Sequence, residues 1–168
     1  SAMRGDLGIT LPASWRRRSD PDHGILVSAR SAGVPASGVR PELVLRCTPT
    51  DLPLRTWREA GLSELRARLH DFDLEDADDY ELQGQPVLYH RFAHRGPTAD
   101  LLSEQWSWLV GVGRGALGIT LTGTATREDY PDWCEVFEQV AATVDVTRID
   151  VRPRLVGASE GQASSAAG

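Results

Sequence analysis

The stretch from Gln105 to Val144 constrains the fold more than any other part of the chain. It reads Gln105-Trp-Ser-Trp-Leu-Val-Gly-Val-Gly-Arg-Gly-Ala-Leu-Gly-Ile-Thr-Leu-Thr-Gly-Thr-Ala-Thr126 and then runs through Pro131 into a helix. Two β-prone runs that meet at a glycine-rich turn predict an antiparallel hairpin. Behind them Trp133, Val136, Phe137, Val140, Ala141 and Val144 recur at i, i+3, i+4, i+7, i+8 and i+11. That is an apolar stripe on a 3.6-residue period. Pro131 suits the first turn of such a helix, where its missing amide costs nothing, and Asp129 and Asp132 place negative charge at the positive end of the dipole. The expected result is a sheet whose inner side is sealed by the last helix through Trp133, Phe137 and Val140. The stretch contains no chemistry of its own.

The remainder follows the same plan. Residues 7–11, 24–30 and 42–48 read as strands, separated by a turn at 12–15 and by a Gly, Pro, Ser and Ala-rich loop at 31–38. Thr56-Trp-Arg-Glu59 has the form of a capping box, followed by Leu62, Leu65 and Leu69 at helical spacing, with an end near His70. Gly61 weakens that helix. Strands at 87–94, 101–112 and 116–126 complete a meander, with a hairpin corner at Gly84. The fold class is therefore α+β: a curved antiparallel β-sheet with helices packed on its faces. Its order is three strands, a helix, four longer strands and a final helix. A length of 168 residues fits one core.

Ser1-Ala2-Met3 reads as a tag scar ahead of a native start, which assigns residues 1–6 to a scar and an N-terminal arm. The single domain spans 7–145. Residues 146–168 form a C-terminal arm, with an edge strand or extended stretch at 146–155 and a small, polar tail at 157–168. If Met3 is the start, the absence of a signal-peptide core after it predicts a cytoplasmic protein; the alternative is an exported protein whose leader was removed.

In the order of its elements the chain resembles the PsbP/Mog-like fold superfamily, in the bacterial form typified by LpqN lipoproteins. Ile9-Thr-Leu-Pro-Ala-Ser-Trp15 is similar to the family's opening strand, proline and tryptophan. Gln83-Gly-Gln-Pro-Val-Leu-Tyr89 resembles its central hairpin, and Ile119-Thr-Leu-Thr-Gly-Thr-Ala125, Tyr130, Val136-Phe137 and Val140 its closing strand and helix. Similar domains serve in photosystem assembly, in binding a small GTPase, as envelope lipoproteins and as export chaperones. The resemblance implies a binding role without a shared catalytic motif. The chain departs from the lipoprotein members in lacking a lipobox cysteine near its start.

Charge and motif narrow the function further. A net charge of −6 opposes nucleic-acid binding, which needs a basic face, and no run approaches the ~20 apolar residues of a membrane span. Cys47 and Cys134 stand far apart, so they read as buried free thiols. The acidic run Asp71–Glu81 fails the calcium-loop pattern and instead alternates as the wet face of an edge strand, with Phe72 and Leu74 turned inward. His90 and His94 would stand about 13 Å apart on a strand, too far for one metal. His90 reads as a satisfied, half-buried histidine. Gly111-Val-Gly-Arg-Gly115 leads into a strand and not a helix, so turn geometry accounts for it. No cofactor, metal site or nucleophilic elbow is expected, and the protein is not expected to be an enzyme.

Trp106 and Trp108 project the same way from one strand and read first as core beneath the last helix. The sharper reading has the pair lining an open sheet face for an apolar partner. The candidate partner-binding residues are thus Trp15, Arg17, Trp106, Trp108 and His90, Arg17 belonging to the run Arg16-Arg17-Arg18. The expected function is non-enzymatic protein binding, as an adaptor or assembly factor with an unidentified protein partner or a homodimer mate. The alternatives are a chaperone with a broad exposed apolar surface, and a small enzyme whose site gathers residues distant in sequence.

Overall fold

The strand Leu117–Thr126 sets up the whole molecule by simple alternation. Ile119, Leu121, Gly123 and Ala125 project to one side, and Thr120, Thr122, Thr124 and Thr126 to the other, because successive strand residues face opposite ways. A sheet built around such a strand has one aliphatic face and one hydroxyl-bearing face, and each receives its own helix.

A computed structural model describes residues 3–6, 8–111 and 115–149. The elements are β1 (Met3–Asp6), β2 (Ile9–Pro12), β3 (Arg16–Asp20), β4 (Ile25–Arg30), β5 (Glu42–Pro49), α1 (Leu54–Arg68), β6 (His70–Leu82), β7 (Gln85–Arg95), β8 (Asp100–Val110), β9 (Leu117–Thr126) and α2 (Tyr130–Thr143). β1 and β2 form a two-stranded ribbon; the other seven make one open sheet in the order β3-β4-β5-β9-β8-β7-β6, antiparallel throughout. The α+β class and the curved antiparallel sheet are those read from the sequence.

The aliphatic face is the core. Leu43, Leu45 and Cys47 of β5, Ile119 and Leu121 of β9, Trp106 and Trp108 of β8 and Val87 of β7 are all buried there. Phe137, Val140 and Ala141 of α2 close over them, and Ile9, Leu11 and Trp15 fill the rest from the N-terminal ribbon side. Trp15 meets Trp133 edge to face with centroids 5.7 Å apart. The ribbon is tied to the end of α2: the Thr10 amide donates to Thr143 Oγ1 at 2.9 Å, and the Asp145 amide to Gly8 O at 2.8 Å.

The structure corrects several details. Five strands precede α1, not three, because residues 3–6 pair with β2 and the arginine run 16–18 lies on edge strand β3. The capping box does not form: α1 starts at Leu54 after Pro53, which places Thr56 inside the helix with no side-chain cap bond at its start. Cys47 is buried, but Cys134 is only half-buried. Residues 146–148 turn instead of extending; the rest of the expected arm and the tail, residues 150–168, lie outside the described residues. The acidic run is indeed an edge strand, β6, and it turns into β7 through Gln83 and Gly84 with φ of 50° and 75°. Two consecutive positive φ angles are the signature of a type I′ hairpin.

Candidate functional site: the polar face beneath α1

Helix α1 covers the threonine face only in part. The opening beside it is a trough of about 500 Å³, floored by Thr120, Thr122 and Thr124 and walled by Trp57, Arg58 and Leu65 of the helix. That size is within the range of small-ligand and peptide side-chain sites. The helix can approach because Gly118 of β9 has no side chain: a Cβ there would stand 2.2 Å from Cζ2 of Trp57.

Arg58 is the centre of the trough wall. It is the one buried residue of α1, 5% exposed. Its guanidinium folds back over Gly61, where a Cβ would meet Nη1 at 2.7 Å, and lies 4.7 Å from the centroid of the Trp57 ring. Nη2 donates to Gln105 Oε1, and Nε is buried without a partner. Among the described residues no carboxylate comes within ion-pair distance of it, so a neutral amide is its main polar neighbour. Burial lowers its pKa to about 10, against the field of Glu64, so it stays charged at neutral pH. A buried charge without a contacting counter-ion is costly, and an incoming anion would relieve that cost.

The floor continues the network. Gln105 Nε2 donates to Thr122 Oγ1 at 3.0 Å, the Ser103 and Thr124 hydroxyls meet at 2.8 Å, and His94 Nε2 lies 3.3 Å from Ser103 Oγ. His90 stands beside Gln105 on the neighbouring strand, almost fully buried. Its pKa is pushed down to about 4 by burial first and then by the nearby Arg58 and Arg55, so it is neutral at pH 7. His94 is lowered by burial as well. The expectation of a satisfied histidine is corrected at one atom: His90 Nδ1 is buried without a partner.

Beyond Glu42 the same face continues into a smaller hollow of about 220 Å³ near edge strand β3. Arg16, Arg18, Arg30 and Arg40 line it, and Glu42, held by Arg30 Nε at 2.6 Å, is its acidic member. With Arg46, Arg58 and Arg68 of the trough, the two hollows bring seven arginines to one face, against Glu42 and Glu64. The chain as a whole is acidic. The opposite face buries a carboxylate instead. Glu104, 1% exposed, accepts from Tyr89 Oη at 2.5 Å, and its Oε1 has no partner. Burial raises its pKa, while the Tyr89 and Tyr130 hydroxyls and the Arg91 charge pull it back.

The residues singled out by sequence are scattered over this frame. Trp106 and Trp108 are each 1% exposed in the core, with Trp106 Nε1 donating to Tyr80 Oη at 2.7 Å. The reading that they line an open face is corrected: Trp108 is core beneath α2, and Trp106, though it backs a hollow of about 370 Å³ beside α2 with Tyr80, Tyr89 and Tyr130, is itself almost wholly covered. Trp15 is buried as well. Arg17 is half-buried on β3, opposite Ala29, and Arg16 and Arg18 project into the smaller hollow. Of the five, His90 stands beside the site. Arg58 and the threonines were missed. The threonines were visible as the period-two hydroxyls of Ile119-Thr-Leu-Thr-Gly-Thr-Ala125. Arg58 sits four residues before Leu62 and seven before Leu65, on the very stripe that marked the buried side of α1.

No protein-family model matches the sequence, and no curated protein matches it. Solved structures do. A Pseudomonas aeruginosa protein of unknown function, PA94, a candidate regulator, aligns with TM-score 0.62 at 19% identity over 86% of this chain and 95% of its own. LpqN of Mycobacterium tuberculosis, involved in cell envelope biogenesis, aligns with TM-score 0.61 at 14% identity over 84% of this chain and 83% of its own. The cyanobacterial PsbP of Synechocystis aligns with TM-score 0.59 at 15% identity over 86% and 91%. At such identities the likeness is one of architecture, and the architecture of this chain is the PsbP-like fold in the form that LpqN also has.

Proposed function

We propose that this is a non-catalytic protein-binding domain, an adaptor or assembly factor, that meets its partner through the face beneath α1. The observation that carries the reading is the arginine excess on that face of an otherwise acidic chain, gathered around a trough whose buried guanidinium feels the field of Glu64 but, among the described residues, has no carboxylate within ion-pair distance. Complementary charge speeds encounter and selects partners. The α2 side offers a hollow of about 370 Å³, but Asp76, Asp78 and Glu138 line it against Arg91, so it carries the acidic sign of the chain as a whole and no arginine excess.

The rivals are less well supported. A chaperone needs a contiguous apolar surface of a few hundred Å². The exposed large apolar residues among those described are Val34, Leu52 and Tyr80, in three separate parts of the chain. An enzyme needs an activated group. His94 and Ser103 are the nearest approach to one, but Ser103 is 2% exposed and shares its hydroxyl with Thr124. The likeness to LpqN, a protein involved in cell envelope biogenesis, keeps the exported alternative in the reading beside the cytoplasmic one, and fractionation of the encoding cells separates the two.

The test is a photo-crosslinking amino acid placed at Thr48, on the exposed rim of the trough, or at Glu135, exposed on α2, in the organism that encodes the protein. A discrete protein adduct is expected from Thr48 and none from Glu135. The Thr48 adduct should vanish when Arg46→Glu and Arg68→Glu are combined. Identical adducts at both sites, no adduct at Thr48, or an adduct containing nucleic acid would each overturn the reading.

A further inference from the structure

The geometry points to a specific occupant for the trough: an acidic side chain of the partner protein, its carboxylate seated against the guanidinium of Arg58 over the Thr120–Thr122–Thr124 floor. This rests on the proposed binding role and names its chemistry.

Three observations carry it. The first is Arg58 itself, which is 5% exposed, has its Nε without a partner, donates to an amide oxygen and, among the described residues, has the field of Glu64 but no paired carboxylate to offset its charge. A guanidinium prefers a planar, two-oxygen acceptor, and a carboxylate supplies both that shape and a charge in direct contact, which Glu64 does not. The second is preorganisation. Trp57 stacks on Arg58, Gly61 lets it lie flat on its own helix, and Gln105 is held in turn by Thr122. A side chain held this way loses little freedom when it binds. The third is the mixed rim. Arg46 and Arg68 attract an acid, whereas Glu42 and Glu64 stand in the same lining. A polyphosphate chain would meet those two carboxylates repeatedly. A peptide with one acid at the right place, and neutral residues beside it, avoids them.

The experiment is a nuclear magnetic resonance titration of the 15N-labelled protein with the blocked tripeptide acetyl-Gly-Glu-Gly-amide. Its Gln counterpart and inorganic phosphate serve as comparison probes. The Glu peptide is expected to shift the Arg58 Nε–Hε signal and the amides of Thr120, Thr122 and Thr124. The Gln peptide should bind at least about tenfold more weakly, the scale on which a desolvated charge pair discriminates. Arg58→Gln should abolish that difference between the two peptides. Arg58→Lys, which keeps the charge but not the fork, should retain only part of it. Equal shifts from both peptides, no shift at the trough, or tighter binding of phosphate than of the Glu peptide would overturn the inference. If instead the Thr48 crosslink to a protein survives Arg58→Gln while the titration is silent, the carboxylate assignment falls and the binding face stands.

Discussion

One strand, β9, carries a glycine on each face, and what rests on the two glycines is the contrast that organises this protein. On the aliphatic side Gly123 receives Phe137 of α2, whose ring would lie 2.7 Å from a Cβ built there. On the threonine side Gly118 receives Trp57 of α1. The seats are alike, but the outcomes differ. Phe137 is wholly buried among aliphatic neighbours, while Trp57 stays half-buried at the wall of an open trough. The same local device therefore closes a core on one side and props a helix over a polar site on the other. Only the rest of each helix decides which: α2 brings Val140 and Ala141, and α1 brings Arg58.

The largest expected effect tests that asymmetry directly. Phe137→Ala should cost about 3–5 kcal/mol, the scale for deleting a buried aromatic, and Leu65→Ala on α1 less, about 1–2 kcal/mol, because Leu65 borders the open trough and is only partly buried. Urea unfolding with a shared slope reads both. Equal losses would mean that α1 is as integral to the core as α2. The glycines sharpen the point. Gly123→Ala should cost about 1–3 kcal/mol as overpacking, since the Phe137 ring has no free space to move into. Gly118→Ala meets Trp57 still closer, at 2.2 Å, yet that ring can swing outward. Its expected signature is faster amide exchange along α1 with a smaller global loss. A global loss from Gly118→Ala matching that from Gly123→Ala would remove the distinction between a sealed face and a propped one.

The two faces should also respond to pH with opposite sign. Beneath α1, His90 titrates near pH 4 when folded and near 6.5 when unfolded. Between those values the unfolded chain holds the extra proton, so stability falls as pH drops, by at most about 3–4 kcal/mol. His94 acts in the same direction. Beneath α2, Glu104 has its pKa raised by burial. There the folded chain holds the extra proton, so stability falls as pH rises above the ordinary carboxylate range. His90→Asn should flatten the acid limb of a melting-temperature profile, and Glu104→Gln the limb above it. If both substitutions flatten the same limb, the opposition of the two faces fails.

Much of the core was legible before any coordinates, and the site was not, for one physical reason. A core announces itself through periodicity: the stripe of α2 and the alternation of β9 are long and repeat regularly. A polar site beneath a helix depends on one residue breaking such a pattern. Arg58 sits where a leucine would continue the stripe of Leu62 and Leu65, and a lone arginine there reads as a solvated side chain snorkelling outward. Gly61, taken alone as a weakness of the helix, is the space into which that arginine folds. Trp106 and Trp108 show the converse. Tryptophan is common at binding surfaces, but a tryptophan pair on the aliphatic side of a central strand is filling volume. The run Arg16-Arg17-Arg18 was visible as charge, and only the pairing of β3 with β4 brings Arg16 and Arg18 beside Arg30 and Arg40.

The smallest predicted effect concerns how the end of α2 is held in place, as α1 is held by Arg55 on Asp79 and Arg58 on Gln105. Gln83 adopts φ of 50° in the β6–β7 turn, a conformation in which Asn ahead of Gly is the favoured choice. Its length explains its presence: Nε2 donates to Ala142 O at 2.9 Å and to Val144 O at 3.2 Å, covering carbonyls that the end of α2 leaves open. Gln83→Asn should relax the turn by a few tenths of a kcal/mol and shorten the reach to those carbonyls, losing about 0.5–1.5 kcal/mol per abandoned bond at most. The net expectation is a loss of under about 1 kcal/mol, because exposed bonds are partly replaced by water. The decisive readout is local: amide exchange should quicken in the last turn of α2 and stay unchanged in α1. Quickening in both helices would show that the two faces are coupled through the sheet, and the independence assumed in every comparison above would have to be given up.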